Sequence, residues 1–216
     1  ASMQAAARLT LAADSREWLN RHGPVKYGLP SAEWPPFDLL PASGEHQGIT
    51  ADYLRLIQQR IGFPLEVVSV KSFDDALTAL GERRIDAMGS IARTPSRDQF
   101  ALFTPAYVKS PPVIIARKDD RLITSIDDLA DKTVAVEKGF ASEENLKRRF
   151  PGIRLLRVDT TPEALSAVSL GKADAYVGSM ISSTYLIDTG YLTNLEVRAA
   201  GGFSTSELRF AIRKDL

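Results

Sequence analysis

Cysteine is absent from the 216 residues. That excludes a disulfide framework and thiolate chemistry, but it is compatible with the periplasm and the cytosol alike. Histidine is scarce. His22 and His46 are the whole complement, and neither has a cysteine, histidine or carboxylate at metal-ligand or triad spacing, so no metal, cofactor or hydrolytic triad is expected. Neither sign of charge prevails, since 27 basic residues balance 27 acidic ones. Nucleic acid and anionic membrane call for clustered positive charge, and neither is expected as a partner. No apolar run approaches the length of a bilayer span. Ala1 to Ala7 has no charged start followed by an apolar core, so any export signal or membrane anchor is expected outside this sequence.

What is present is ordinary globular material, 44% hydrophobic and 25% charged, enough for one large or two small cores. Leu9 to His22 reads as a helical lead-in closed by Gly23 and Pro24, and Val25 to Leu29 as a strand. The paired prolines after Trp34 forbid helix and hold Trp34 and Phe37 on an extended loop. Helices follow over Ala51–Ile61, stopped by Gly62, and after Ser72, which caps a first turn carrying Asp74 and Asp75. Between them, Leu65 to Val70 alternates as a strand. Past Pro111 and Pro112 a second series runs: strand Val113–Ala116, helix Ile126–Ala130, strand Thr133–Val136, helix Ser142–Phe150, strand Arg154–Val158. Thr161 reads as a cap with Pro162 at the first helical position, followed by strand Ala173–Val177, and Leu208–Ile212 is a last strand. Strands alternating with helices make this an α/β chain.

Two features point to function. In Ile85 to Tyr107, a short buried strand ends at Gly89 and Ser90, and Ser96 is placed to cap a helix that starts with Arg97 and Asp98. A guanidinium beside exposed helix-start amides would receive a carboxylate or other oxyanion, the alternative being a surface ion pair with Asp98. The second is an internal echo. Ala76, Leu77, Ala79, Asp86 and Ala87 recur as Ala164, Leu165, Ala167, Asp174 and Ala175 at one offset, 164 − 76 = 88. Two similar lobes would then face each other and direct strand ends into a shared cleft.

Thr94, Pro95 and Arg97, followed by Phe103, Thr104, Pro105 and Tyr107, resemble the T-P-x-R and F-S-x-P-Y motifs of the family 3 periplasmic solute-binding proteins. Trp34, Pro36, Phe37, Gly48, Ile49, Asp52 and the Asp86 and Asp174 strands fall in that family's order. The lead-in Leu9, Thr10, Glu17, Trp18, Leu19 and His22, with two extra residues after Thr10, is similar to the preamble of Venus-flytrap domains in sensor histidine kinases of the BvgS and EvgS type. The resemblance implies a bilobed type II periplasmic-binding-protein fold, with two α/β lobes joined by a two-segment hinge. Residues 1–24 would be a lead-in, 25–109 plus 208–216 lobe 1, and 110–207 lobe 2, with crossings near 107–111 and 204–209.

It also implies a site in which Arg97 holds a carboxylate and Trp34 and Phe73 flank the ligand. Thr94, Ser90 and Ala92 would lie beside Arg97, and Glu137 and Ser179 on the second lobe. Several of these depart from the family pattern: Ala92 replaces a carboxylate-binding hydroxyl, Ser90 a glycine, Ser179 and Ser31 acids, and Glu137 a base. The ammonium half of an amino-acid site is thus mostly gone, and the expected ligand is a small monocarboxylate without an α-ammonium. The resemblance implies a periplasmic, non-catalytic sensing domain of an inner-membrane kinase. Moving its clamp from 1:99 to 99:1 would take about 5.5 kcal/mol, more than a small solute is expected to supply, so the expected clamp is pre-biased, closed even without ligand, and modulated rather than switched. Its partners would be further domains of the same chain, such as a second Venus-flytrap domain, and a second copy in a homodimer. A transport receptor for amino acids or organic acids is the nearer alternative. A dehydratase acting on a small cyclic acid, with Glu33 or Glu137 as general acid or base, is the further one.

Overall fold

Period-two apolar patterning builds two separate sheets in the computed structural model, which describes residues 8–190 and 192–216. Ala1 to Ala7, read above for an export signal, lie outside the described residues. One sheet holds β1 (Val25–Pro30), β2 (Leu65–Val70), β3 (Ala87–Ala92), β4 (Ala101–Phe103), β5 (Val108–Ser110) and β11 (Ser206–Arg213). Its order is β2-β1-β3-β11-β4, with β5 also on β11. The other holds β6 (Pro112–Arg117), β7 (Thr133–Glu137), β8 (Arg154–Val158), β9 (Ala175–Ser179) and β10 (Leu195–Ala200), ordered β10-β6-β9-β7-β8. Within each, parallel pairs join strands linked by helices, as β1 with β2 and β7 with β8, while β11 and β6 run antiparallel to their neighbours. The chain leaves the first sheet between Ser110 and Pro112 and returns between Ala200 and Ser206. On the return, Gly202 has φ 77°, and a Cβ there would meet Ile126 Cγ2 at 2.7 Å; only glycine fits.

Both faces of the second sheet are covered, which explains the unbroken apolar run of β6. Val113 and Ile115 enter one core with Leu165, Val168 and Tyr176, and Ile114 and Ala116 enter the other with Leu129, Val134 and Leu146. The first sheet is likewise packed on two sides, against Leu80, Ile85 and Met88, and against Tyr27, Leu54 and Phe210. Among the described residues six helices clothe these sheets: α1 (Ala13–His22), α2 (Ile49–Ile61), α3 (Phe73–Gly81), α4 (Ala141–Arg149), α5 (Thr161–Ser169) and α6 (Met180–Thr189). No side chain of α1 is buried. It is tied down instead by Arg16, whose guanidinium donates to the Ile61 and Gly62 carbonyls, and by His22, 3.0 Å from Asp86.

The 88-residue echo extends to the hydrogen bonds. Ser72 and Thr160 cap α3 and α5 by accepting from the N–H groups of Asp75 and Glu163. The carboxylates of those two acids return to the N–H groups of Lys71 and Asp159. Asp86 and Asp174 then each accept the N–H that opens the neighbouring strand, from Lys26 and Thr133. Thr160, not Thr161, is therefore the cap; Ser72 plus the offset points to it, and the Thr161 hydroxyl is directed elsewhere. The expected helix at Ile126–Ala130 is one 3-10 turn, Ile126–Leu129, closed by a capping box between Ser125 and Asp128. Unread in the sequence was α6, whose Ser183, Thr184 and Thr189 hydroxyls bond back to carbonyls one turn earlier, the habit that makes such residues poor helix signals.

Candidate functional site

The two lobes meet directly. Arg97 lies on a three-residue 3-10 turn, Arg97–Gln99, too short to present a set of free amides. The expected cap also differs: Ser96 is itself in helical backbone and makes no capping bond. Its hydroxyl donates instead to Glu144 of α4, at 2.9 Å. Thr94 takes the capping role, its Oγ1 accepting the Arg97 N–H at 3.4 Å. Arg97 is 3% exposed and makes no bond to Asp98, which pairs with Arg93. Its guanidinium donates to the Ala92 carbonyl at 2.5 Å in lobe 1 and the Gly139 carbonyl at 2.6 Å in lobe 2. Burial lowers its pKa to about 10.

Gly139 makes this approach possible. It adopts φ 77°, and a Cβ there would stand 2.8 Å from the Asp74 carboxylate across the interface. The neighbouring Phe140 wedges between the aromatics expected to grip a ligand, 5.2 Å from the Trp34 ring and 4.6 Å from Phe73. Phe73 also lies under the Arg97 guanidinium, at 5.5 Å. A further tie is Ser182 of α6, whose hydroxyl donates to the Pro35 carbonyl at 2.6 Å. Two enclosed cleft cavities of about 40 and 30 Å³ lie between the lobes, well below the few hundred Å³ of a typical ligand pocket, while on another side of Arg97 and Phe140 the lobes flank an open groove of about 600 Å³.

The larger cavity brings Arg97, Trp34, Phe73, Ser90, Ala92 and Ser179 onto one wall system, together with Ser110, Ser142 and Phe140, which sequence reasoning missed. Trp34 Nε1 is buried there and has no acceptor among the described residues. Ser179 caps α6 and shares a 2.7 Å bond with Ser110. Thr94 is placed apart, lining an outer groove. Glu137, expected on the cleft wall, is fully enclosed within lobe 2. There its Oε1 accepts from Thr161 at 2.5 Å and Tyr176 at 2.9 Å, while Oε2 has no partner among the described residues. Burial raises its pKa, favouring the neutral acid, at a position that bounds neither cleft cavity. Glu33 stands at the mouth of the smaller cavity, its carboxylate on the Leu40 N–H at 2.5 Å.

Behind the cleft lies a polar network that sequence spacing did not reveal. His46 pairs with Asp38 at 2.6 Å, and Asp38 accepts in turn from Ser90. Ser90, at φ 53°, is held in that left-handed conformation by Thr50 at 2.7 Å and by its N–H donating to Tyr107 Oη at 2.8 Å. Both histidines therefore find carboxylates through the fold. The carboxylate sits between serine and histidine here, so the imidazole cannot take the serine proton as a triad requires. Among the described residues no three or more metal-ligating side chains cluster, and no helix is long and apolar enough to cross a membrane.

Residues 29–150 match the bacterial extracellular solute-binding proteins, family 3. The virulence sensor protein BvgS of Bordetella pertussis is 29% identical over 208 residues, which cover 96% of this chain and 17% of that protein. This chain thus spans about a sixth of that relative's length. The crystal structure of the B. pertussis BvgS periplasmic VFT2 domain aligns with a TM-score of 0.84 at 27% identity, covering 96% of this chain and 88% of that one. The arginine-bound form of truncated ArgBP from T. maritima aligns with a TM-score of 0.79 at 27% identity, covering 92% of each chain.

Proposed function

The chain belongs to the bacterial extracellular solute-binding proteins, family 3, and on that footing we propose that it is the periplasmic ligand-sensing domain of a longer, membrane-anchored sensor histidine kinase. The observation that carries this reading is coverage: 96% of the chain, lead-in included, aligns with BvgS while taking up 17% of that sensor. The domain itself senses and does not catalyse. Its partners are the other domains of the longer chain, a second Venus-flytrap domain among them, and a second copy of the sensor. Lobe closure, borne by the crossings at 107–111 and 204–209, is the signal.

The ligand is a small monocarboxylate without an α-ammonium group. Arg97 supports this, because burial lowers its pKa to about 10, below the ordinary guanidinium range, so its charge is kept at a desolvation cost. Backbone carbonyls offset part of that cost, and a carboxylate would offset more. The Trp34 N–H, buried and unpartnered among the described residues, belongs to a side chain that lines the same cavity and is a candidate second donor. No carboxylate lines that larger cavity to meet a cation: both oxygens of Asp38 behind it are engaged, by His46 and Ser90, and Ser179 offers a hydroxyl. Arginine, which ArgBP holds in its solved form, would bring an ammonium into a cavity whose lining has no acid to meet it.

Calorimetry with ligand pairs matched except for the ammonium tests this, in the native protein and in Arg97→Ala. The deaminated member binds more tightly, and Arg97→Ala weakens it roughly tenfold or more, as loss of a charge-assisted bond requires. Tighter binding of the amino acid, or an Arg97→Ala protein that binds the carboxylate as before, overturns the ligand assignment.

A further inference from the structure

Beside the return crossing, on the outer side of Ala92, Ala141 and Ser206, which also line the larger cleft cavity, an open groove of about 590 Å³ runs between the lobes. Lobe 1 contributes Arg93 and Arg209 to it, and α4 of lobe 2 contributes Arg148 and Arg149. Two acids line it as well. Asp98 is paired with Arg93 at 2.8 Å, and Glu207 binds Arg209 while Lys109 stands 3.4 Å from it. Arg148 bonds only the Asn145 amide oxygen, at 3.1 Å, and Arg149 lies over the Phe150 ring at 5.7 Å. Among the described residues neither has a carboxylate partner. The negative end of the α4 dipole accounts for basic residues in its last turn. It does not account for two further arginines facing them from the other lobe.

We propose that this groove is a second binding site, for a small polyanion with two or more separated oxyanion groups, a di- or tricarboxylate. Four arginines against two acids leave an excess of two positive charges along the lining, which a ligand of charge −2 or −3 would neutralise. Guanidinium forks match carboxylates in bidentate fashion: Arg148 and Arg149 can take one oxyanion, and Arg93, which meets Asp98 through Nε, keeps its terminal N–H groups for a second on the opposite wall. The Ser204, Thr205 and Ser206 segment beside them is the return crossing itself. A ligand spanning both walls therefore binds the closed clamp in preference to any open one and shifts the balance toward closure. The groove thus acts as a co-ligand site that biases the sensor without entering its cleft, and by linkage it raises the affinity of a cleft ligand that also favours closure.

The test is calorimetric titration of the whole domain with citrate, inorganic phosphate and acetate at matched ionic strength. Citrate binds, phosphate binds at least roughly tenfold more weakly and acetate weaker still, since each lost charge-assisted pair is worth about that factor. The double variant Arg148→Glu/Arg149→Glu abolishes the citrate signal. Arg93→Gln, on the opposite wall and exposed, reduces it independently, so the result does not hang on one variant folding. Citrate binding that survives both changes, or phosphate binding as tightly as citrate, overturns the proposal.

Discussion

Glu137 and Arg97 are both buried ionisable groups, but they meet burial in opposite ways. Arg97 keeps its charge and spends it on backbone carbonyls of two lobes. Glu137 has hydroxyl donors on one oxygen only, and burial drives it toward the neutral form. A carboxyl whose folded pKa is raised binds a proton that the unfolded chain releases, so its stabilisation is complete below the unfolded value and is lost as pH rises toward the folded one. Glu137→Gln keeps an acceptor for Thr161 and Tyr176 and removes the titration. The variant is expected to gain on the native protein by about 1.4 kcal/mol for each unit of raised pKa as pH climbs from the ordinary carboxylate range through the raised value. Urea denaturation at both ends of that range measures the difference, and parallel pH profiles would contradict it.

The repeated unit of helix, turn and strand lets one kind of contact be weighed in two settings. Asp174 accepts one strand-opening N–H. Asp86 does the same for Lys26 and also meets His22 at 3.0 Å and Arg213 at 3.4 Å. Burial pushes the Asp86 pKa up, but the Lys26 N–H, His22 and Arg213 outweigh it, and the net shift is downward. Asp86 therefore stabilises the fold above the ordinary carboxylate range, and that contribution is lost as pH falls through its lowered pKa. Asp174→Ala should cost about 1 kcal/mol, one hydrogen bond. Asp86→Ala should cost about 3 kcal/mol or more, because a histidine and an arginine lose their shared anion. It should also release α1, detectable as faster amide exchange over Ala13–His22. Equal costs for the two variants would mean that the lead-in is held by Arg16 alone.

For the molecule as a whole, the question is what holds the clamp shut. Arg97 on Gly139, Ser96 on Glu144, Ser182 on Pro35 and Phe140 between Trp34 and Phe73 all cross from lobe to lobe. Moving such an equilibrium from 1:99 to 99:1 takes about 5.5 kcal/mol. Losing the Phe140 ring packing costs about 3 kcal/mol, and losing the Ser182 bond about 1 kcal/mol. The pair Phe140→Ala/Ser182→Ala is therefore expected to populate the open form substantially without abolishing the closed one. Small-angle scattering of the ligand-free domain should show a compact native protein and a larger radius of gyration for the pair. Identical curves would place the closing free energy elsewhere.

The sequence by itself determined the local and repeated parts: strands and helices with strong periodicity, the Ser72 cap, the buried run of β6 and the 88-residue echo. All of these depend on side-chain period and on backbone groups a few residues away. It also brought Arg97, Trp34, Phe73, Ser90, Ala92 and Ser179 to one cavity by way of family motifs. Tertiary structure alone decided who meets whom across long separations. It paired His46 with Asp38 and His22 with Asp86, turned Arg97 onto Gly139, put Phe140 where a ligand ring was expected and enclosed Glu137 in a core. The physical reason is that a side chain's charge state and partners follow from what desolvates it, and here the desolvating surfaces come from the opposite lobe or from strands far away in the chain.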